Sequence, residues 1–342
     1  MSDKDNPTWP YNQDIFPPPD VLKTYPDFEP LIRNLAISEA FLRYEKQATR
    51  LKRLYARLGK YALYCIATVM ILLDYRVTLP NAPLAAETRW VAAVLGVAGL
   101  VFLAIMYGRH VKNRWLLQRY AAERIRCLKF QAFFLLADHG ADSLSAAVGD
   151  FTQEGLGEIS REVDGRSQFR GFTVSDVKLP RGGTLGTWAA ARSQKAAALY
   201  DTLRFKWQRN HLEEQGKLAE GELLAPNSIG NAAFLLGAGL AVLDLFSSFA
   251  GQFISHKFEI PGLDFLTLLA FIISATAAVF ERGDANLAHA DRYARYASEI
   301  VRLRARLDQG GEFLGLVHEM ERNALLELRD FCRDIQQSSY IV

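Results

Sequence analysis

Charged and uncharged stretches alternate along this chain in long blocks. Trp90 to Gly108 is 19 residues without a charge, bounded by Arg89 and Arg109. At about 1.5 Å per residue such a run makes a helix of roughly 28 Å, close to the thickness of a bilayer core. Leu223 to Leu243 is a second uncharged run, which meets Asp244 and then stays apolar through Phe253 and Ile254. Phe265 to Phe280 is a third. Tyr61 to Leu73 is the shortest and reaches spanning length only with Leu58 and Val77–Leu79. The pattern predicts four spanning helices, over about 58–79, 90–108, 229–254 and 263–281. Buried core helices of a soluble all-α protein are the competing reading, and two uncharged runs of this length disfavour it.

The runs pair as two hairpins. Asp74 to Glu87, with Pro80 and Pro83, joins the first two, and Ser255 to Asp264, with Pro261 and Gly262, joins the last two. Basic residues crowd the outer flanks of the first hairpin, from Arg43 to Lys60 before it and from Arg109 to Lys129 after it, whereas the turns hold little more than Arg76, Arg89 and Lys257. Excess Lys and Arg marks the cytoplasmic side of a membrane. Both termini and the long middle segment are therefore expected in the cytoplasm. Met1 to Asn34 has neither a basic n-region nor an apolar h-region, so no cleavable signal is expected ahead of the spans.

The hairpins read as two copies of one unit. RYAAERIR, from Arg119 to Arg126, follows the second run, and RYASEIVR, from Arg295 to Arg302, follows the fourth, at an offset of 176 residues. Leu72-Leu73-Asp74 likewise answers Val242-Leu243-Asp244. The expected organisation is a Pro-rich arm over 1–34, a first two-span unit over 35–138, a connector over 139–194 and a second two-span unit over 195–342. Arg119, Glu123 and Arg126 fall at i, i+4 and i+7 on one helix stripe, as do Arg295, Glu299 and Arg302. Such a stripe is either solvated salt bridging, worth tenths of a kcal/mol, or a gating clamp between helices of a cytoplasmic bundle. Trp115, Leu116, Ile125, Leu128 and Phe133 give the same helix an apolar packing face.

Between the copies, Ala141 to Gly186 is first acidic, from Asp142 to Asp164, then Gly-rich around FTVSDVKLP, which suits a short strand or hairpin, or a linker. Residues 1 to 30 hold seven of the twelve prolines, together with Trp9, Tyr11 and Phe16. They read as an extended arm that docks on a partner or a neighbouring subunit.

Two acids stand inside the apolar pattern. An ionised Asp at mid-span costs about 2.5–3.5 kcal/mol on insertion scales, so it faces a bundle interior or a water-filled path. Asp244, and Asp74 in the matching place, are the candidate pore or intramembrane acids, against simple snorkelling at a tilted helix end. Gly96 and Gly99 on the second run, Gly237 on the third and Ser274 on the fourth are candidate helix-packing positions. Four spans do not enclose a water-filled pore, so a pore calls for a homo-oligomer.

Composition adds mainly exclusions. The 342 residues carry 40 Lys+Arg against 38 Asp+Glu, a balance that argues against a nucleic-acid partner. Cys65, Cys127 and Cys332 form no CxxC, so neither a zinc site nor a disulfide framework is expected. His318 and Glu319 begin like HExxH, but Arg322 stands where the second histidine belongs. Without GxSxG, GxGxxG or a phosphate loop, no enzyme, cofactor or metal is expected. The mean hydropathy of -0.01 is the sum of apolar runs and charged flanks that cancel.

A two-span hairpin, a basic amphipathic helix before it and a long helix with an RYAxE stripe after it resembles the SLATT superfamily. These are two-transmembrane effectors associated with SMODS nucleotidyltransferases and SLOG domains. Tyr200 to Gln208 resembles the helix that enters such hairpins. His318 to Arg333, with Glu321, Glu327 and Phe331, resembles their closing helix. The resemblance covers roughly 40–136 and 195–334, here as a tandem four-span version. It implies an all-α integral membrane protein of the bacterial inner membrane, with tandem hairpins and a cytoplasmic helical bundle. It also implies an antiviral defence effector that oligomerises to form a pore or disrupt the bilayer when a nucleotide-signalling or nucleotide-sensing partner triggers it. The alternative is a membrane-anchored scaffold presenting a helical platform to protein partners. A small secondary transporter calls for inverted repeats, and copies with an even number of spans insert in the same orientation.

Overall fold

The computed structural model describes residues 12–79, 87–164, 166, 169, 171–174, 187–253, 262–284 and 286–338. All the regular structure among them is helical. Short helices α1 (Pro19–Thr24) and α2 (Glu29–Ile32) precede α3 (Leu35–Thr78), α4 (Thr88–Gly108) and α5 (Val111–Gln131). A 3₁₀ segment, Ala132–Ala137, leads to α6 (Ala141–Asp164). Then come α7 (Thr187–Tyr200), a π-helical turn (Asp201–Lys206), α8 (Trp207–Phe253), α9 (Leu263–Asp284), α10 (Asn286–Asp308) and α11 (Phe313–Gln337).

Local chemistry explains the ends. Asn34 caps α3, its side-chain oxygen accepting from the Ile37 N–H at 3.1 Å, and its amide donates to Thr152 of α6 at 2.8 Å. At the end of α10 the Gly311 N–H reaches the Arg306 carbonyl at 2.9 Å and the Gly310 N–H reaches that of Leu307 at 3.0 Å. This is the Schellman pattern, and Gly310 takes the left-handed φ of 80° that it requires. Glu312 then caps α11 by accepting from the N–H groups of Leu314 and Gly315.

Among the described residues three helices are long and apolar enough to cross a membrane: one within Pro26–Thr78, then Thr88–Gly108 and Leu263–Phe280. Ser228–Leu243, inside α8, is apolar but shorter. Of the turns expected at 74–87 and 255–264, 74–78 continue α3, while 80–86 and 255–261 lie outside the described residues.

Contacts divide the chain into two compact units, and each sequence copy contributes to both. Unit 1 comprises Met1–Lys52, Lys112–Leu218 and Ala288–Gln336; unit 2 comprises Arg53–Val111, Ala219–Leu287 and Gln337–Val342. In unit 1, α11 buries Leu314, Val317, Glu321, Leu325, Leu328, Cys332 and Ile335, at the three-and-four spacing of a single helical seam. Tyr200 sits among Phe130, Phe133, Phe205 and Phe313, with ring centroids 5.2–5.9 Å away.

The segment expected as a connector is mostly helix. Leu144, Val148, Thr152, Ile159 and Val163 line the buried face of α6. Its glycines disguise this in the sequence, yet one serves the packing: a Cβ at Gly155 would lie 2.4 Å from Leu128 Cδ1. The expected strand is absent from the described part of FTVSDVKLP, where Phe172 and Thr173 are irregular and Val174 is in a 3₁₀ turn; 175–186 lie outside the described residues.

In unit 2, α3 and α4 run in opposite directions, Cys65 facing Gly99 and Tyr61 facing Phe102. The pairs Gly237 with Ala270 and Gly230 with Ala277 run α8 against α9 in the same way. Tyr64 meets Phe280 and Tyr75 meets Phe265, so α9 also packs on α3.

Candidate functional site

Unit 1 buries a set of charges beside its apolar core. From Tyr120 to Gln131 nearly every residue of α5 is buried, although the stretch contains Glu123, Arg124, Arg126 and Lys129. A helix buried all round is normally apolar, and each buried charge needs a partner to offset its lost hydration. The structure supplies those partners from distant parts of the chain.

The deepest pair is Arg204 with Glu321, whose side chains are 1% and 0% exposed. Arg204 belongs to the π-helical turn, an irregularity that recurs at functional positions. Its Nε and Nη2 donate to Glu321 Oε1 and Oε2, both at 2.9 Å, and the Tyr200 hydroxyl donates to Oε1 at 2.8 Å. The guanidinium lies 4.6 Å from the centroid of the Phe130 ring. Burial alone would weaken the Arg204 cation, but the Glu321 carboxylate overrides it and holds the proton well above the ordinary range. Two-point pairing of this kind fixes the angle between α11 and the π-turn as well as their distance.

A second node ties down the N-terminal residues. Arg126 Nη2 donates to Asn12 Oδ1 at 2.7 Å, and its Nε lies 3.3 Å from Asp14 Oδ2. Lys129 Nζ donates to the backbone carbonyls of Asp14 and Ile15 at 2.6 and 3.1 Å. Burial pushes the Lys129 ammonium down to about 8 and raises the Asp14 carboxyl. Beside it, Arg119 pairs with Glu45 of α3 at 2.9 Å and with Glu123 one turn on. Burial by itself would raise the Glu123 carboxyl, but Arg119 and Arg126 override that and hold it below the ordinary range.

Two further nodes complete the set. Arg124 and the Tyr120 hydroxyl share Glu162 of α6. Arg292 of α10 pairs with Glu327 at 2.9 Å and Asp334 at 3.1 Å on α11, and its Nη1 reaches His289 Nδ1 at 2.9 Å. An arginine only donates, so His289 accepts at Nδ1 and carries its proton on Nε2. Burial pushes His289, and His211 stacked on Trp207, down to about 3.

The sequence candidates are distributed unevenly over this framework. Arg119, Glu123 and Arg126 come together with Glu45 and Asp14 inside unit 1. Their counterparts do not: Arg295 and Arg302 are exposed, and Arg302 pairs with Glu299 at 2.7 Å and Glu319 at 2.9 Å on the surface. What the two motifs share structurally is the buried tyrosine, Tyr120 in one and Tyr296 in the other. Asp74 is buried near the end of α3, its Oδ2 without a hydrogen-bond partner among the described residues. Asp244 falls within α8, but its side chain lies outside the described residues. Gly99 and Gly237 are close approaches, where a Cβ would lie 3.2 Å from Cys65 Cβ and 3.3 Å from Ala270 Cβ. Gly96 is looser, 4.0 Å from Val69, and the Ser274 carbonyl stands 3.7 Å from a Cβ at Gly230.

Asp14, Arg292 and the pairing roles of Lys129, Arg204 and Glu321 escape the sequence reading, although Glu321 stands in the segment that resembles a closing helix. One signal was available for Glu321, a lone acid on the apolar seam of α11. No group of three or more His, Cys, Asp or Glu among the described residues could hold a metal. No protein-family model, curated protein or solved structure matches the chain.

Proposed function

We propose that this protein is a multi-pass protein of the bacterial inner membrane. In this reading copies of the chain associate, and together they form a pore or disrupt the bilayer when a nucleotide signal or a partner protein acts on unit 1. The observation that carries the membrane part is the opposite polarity of the two units. Unit 2 turns apolar side chains outward: Trp90, Val94, Val97 and Leu100 of α4 are 63–73% exposed. Unit 1 meanwhile keeps Arg126, Lys129, Arg204 and Glu321 inside. An exposed apolar band of this size is at home in lipid, and buried paired charges are at home in a water-soluble body.

The effector part rests on the resemblance to SLATT proteins and on the buried charge network, whose pairs tie the N-terminal residues, α3, α5, α6, α10 and α11 of unit 1 together. Asp74 and Asp244 are the residues proposed to line or gate a path between copies. Induced expression with its trigger is expected to collapse the membrane potential, read with a potential-sensitive dye, and Asp244→Asn or Glu299→Arg to alter that response. An unchanged dye signal under confirmed activation would sink the effector reading. The scaffold reading is favoured by the close locking of α5, α10 and α11; for it, Asp74 and Asp244 substitutions are silent while deletion of 139–200 abolishes partner binding.

A further inference from the structure

The ends of the apolar helices of unit 2 carry a second pattern. On α3, Arg53 and Arg57 are exposed and Lys60 is half-buried, at i, i+4 and i+7, so the three share one stripe. On α4, Arg109 is exposed at the C-terminal end. Because Cys65 faces Gly99 and Tyr61 faces Phe102 in antiparallel register, one turn outward brings Arg57 level with the end of α4. Arg109 therefore stands between the heights of Arg53 and Arg57, which are one turn apart on α3. Just inside them Tyr61, Tyr64 and Tyr107 are 52–53% exposed, and further in come the exposed aliphatic side chains of both helices.

That order of cation, tyrosine and aliphatic chain matches the order of phosphate, carbonyl region and acyl tail in one leaflet. We propose that the α3–α4 end of unit 2 binds the phosphate headgroup of an anionic phospholipid, with Arg57 and Arg109 as its principal contacts and Tyr61 and Tyr107 against the upper acyl chain. The proposal rests on the membrane reading above and adds a lipid preference at the α3–α4 end.

The test uses the full chain in nanodiscs of phosphatidylcholine, with and without phosphatidylglycerol. Phosphatidylglycerol is expected to raise the thermal midpoint and to remain bound after release into mild detergent. Arg57→Gln and Arg109→Gln should each weaken that retention about fivefold, while Arg295→Gln, an exposed cation of unit 1, should not. Equal midpoints and no retained phosphatidylglycerol in discs that contain inserted protein would overturn the proposal. So would the same stabilisation by inorganic phosphate in detergent, which would make this a site for free anions. Extraction of the chain from vesicles by alkaline carbonate would overturn the membrane reading itself, and the lipid site with it.

Discussion

Glu321→Gln is the substitution most sharply determined by the geometry. It removes the carboxylate that holds Arg204 in a two-point pair and leaves a guanidinium that is 1% exposed facing a neutral amide. The Tyr200 hydroxyl keeps an acceptor in the amide oxygen, so the hydrogen-bond loss is partial and the uncompensated charge dominates. Removing one member of a buried ion pair costs about 3–5 kcal/mol. In a unit of this size each kcal/mol moves the midpoint by about 2–4 °C, so the expected drop is about 6–20 °C, read by far-UV circular dichroism of the detergent-purified chain. Adding Tyr200→Phe to Arg204→Met and Glu321→Leu replaces the buried polar cluster by apolar groups, and this triple variant is expected within about 1 kcal/mol of the parent, or above it, because the desolvation costs vanish and no buried hydroxyl loses its acceptor. The reasoning is refuted if Glu321→Gln melts within a degree or two of the parent, or if the triple variant melts as low as the single one.

Acid sensitivity follows from the two buried histidines. Both are held neutral, near 3 against an ordinary value of about 6.5, so the unfolded chain binds more protons as the pH falls below that ordinary value. Stability is then lost on the acid side, by about 2 kcal/mol per histidine between pH 7 and pH 5, and the pair His211→Gln with His289→Gln should flatten that limb of a pH–midpoint curve; an unchanged slope would count against their burial. In unit 2, Gly99→Leu must push aside Cys65 Cβ and the Ala62 carbonyl, an overpacking cost of about 1–3 kcal/mol. Gly108→Leu, with nothing within 4 Å, is the matched control and should melt like the parent.

Much of the architecture is legible in the residues because the outward faces of unit 2 are apolar. Such faces leave unbroken runs, and α4 coincides with one of them almost to the residue. Helix α6 was hidden by Gly149, Gly155 and Gly157, which lower helix propensity by about 1 kcal/mol each and yet here admit Leu128 at one point. The charged interior was hidden for a different reason. Sequence patterns assign a charge to the exterior unless a partner lies three or four residues away, whereas Arg204 and Glu321 are 117 residues apart and Arg126 and Asn12 are 114 apart. The repeated RYA motif misled in a third way: equal spacing did not place the two stripes alike, since Arg126 is buried and Arg302 is not.

The order in which unit 1 acquires its parts has a consequence for synthesis. Its three stretches, Met1–Lys52, Lys112–Leu218 and Ala288–Gln336, are separated by the apolar helices of unit 2. The α5 cations can meet Asp14, Glu45 and Glu162 early, but Arg204 and Arg292 leave the ribosome before Glu321 and Glu327 exist. Until the final helix emerges, those arginines remain hydrated and the body stays open. Completion of the last 50 or so residues acts as an assembly checkpoint, so a truncated chain keeps its apolar helices but never closes the compartment that neutralises its own charge.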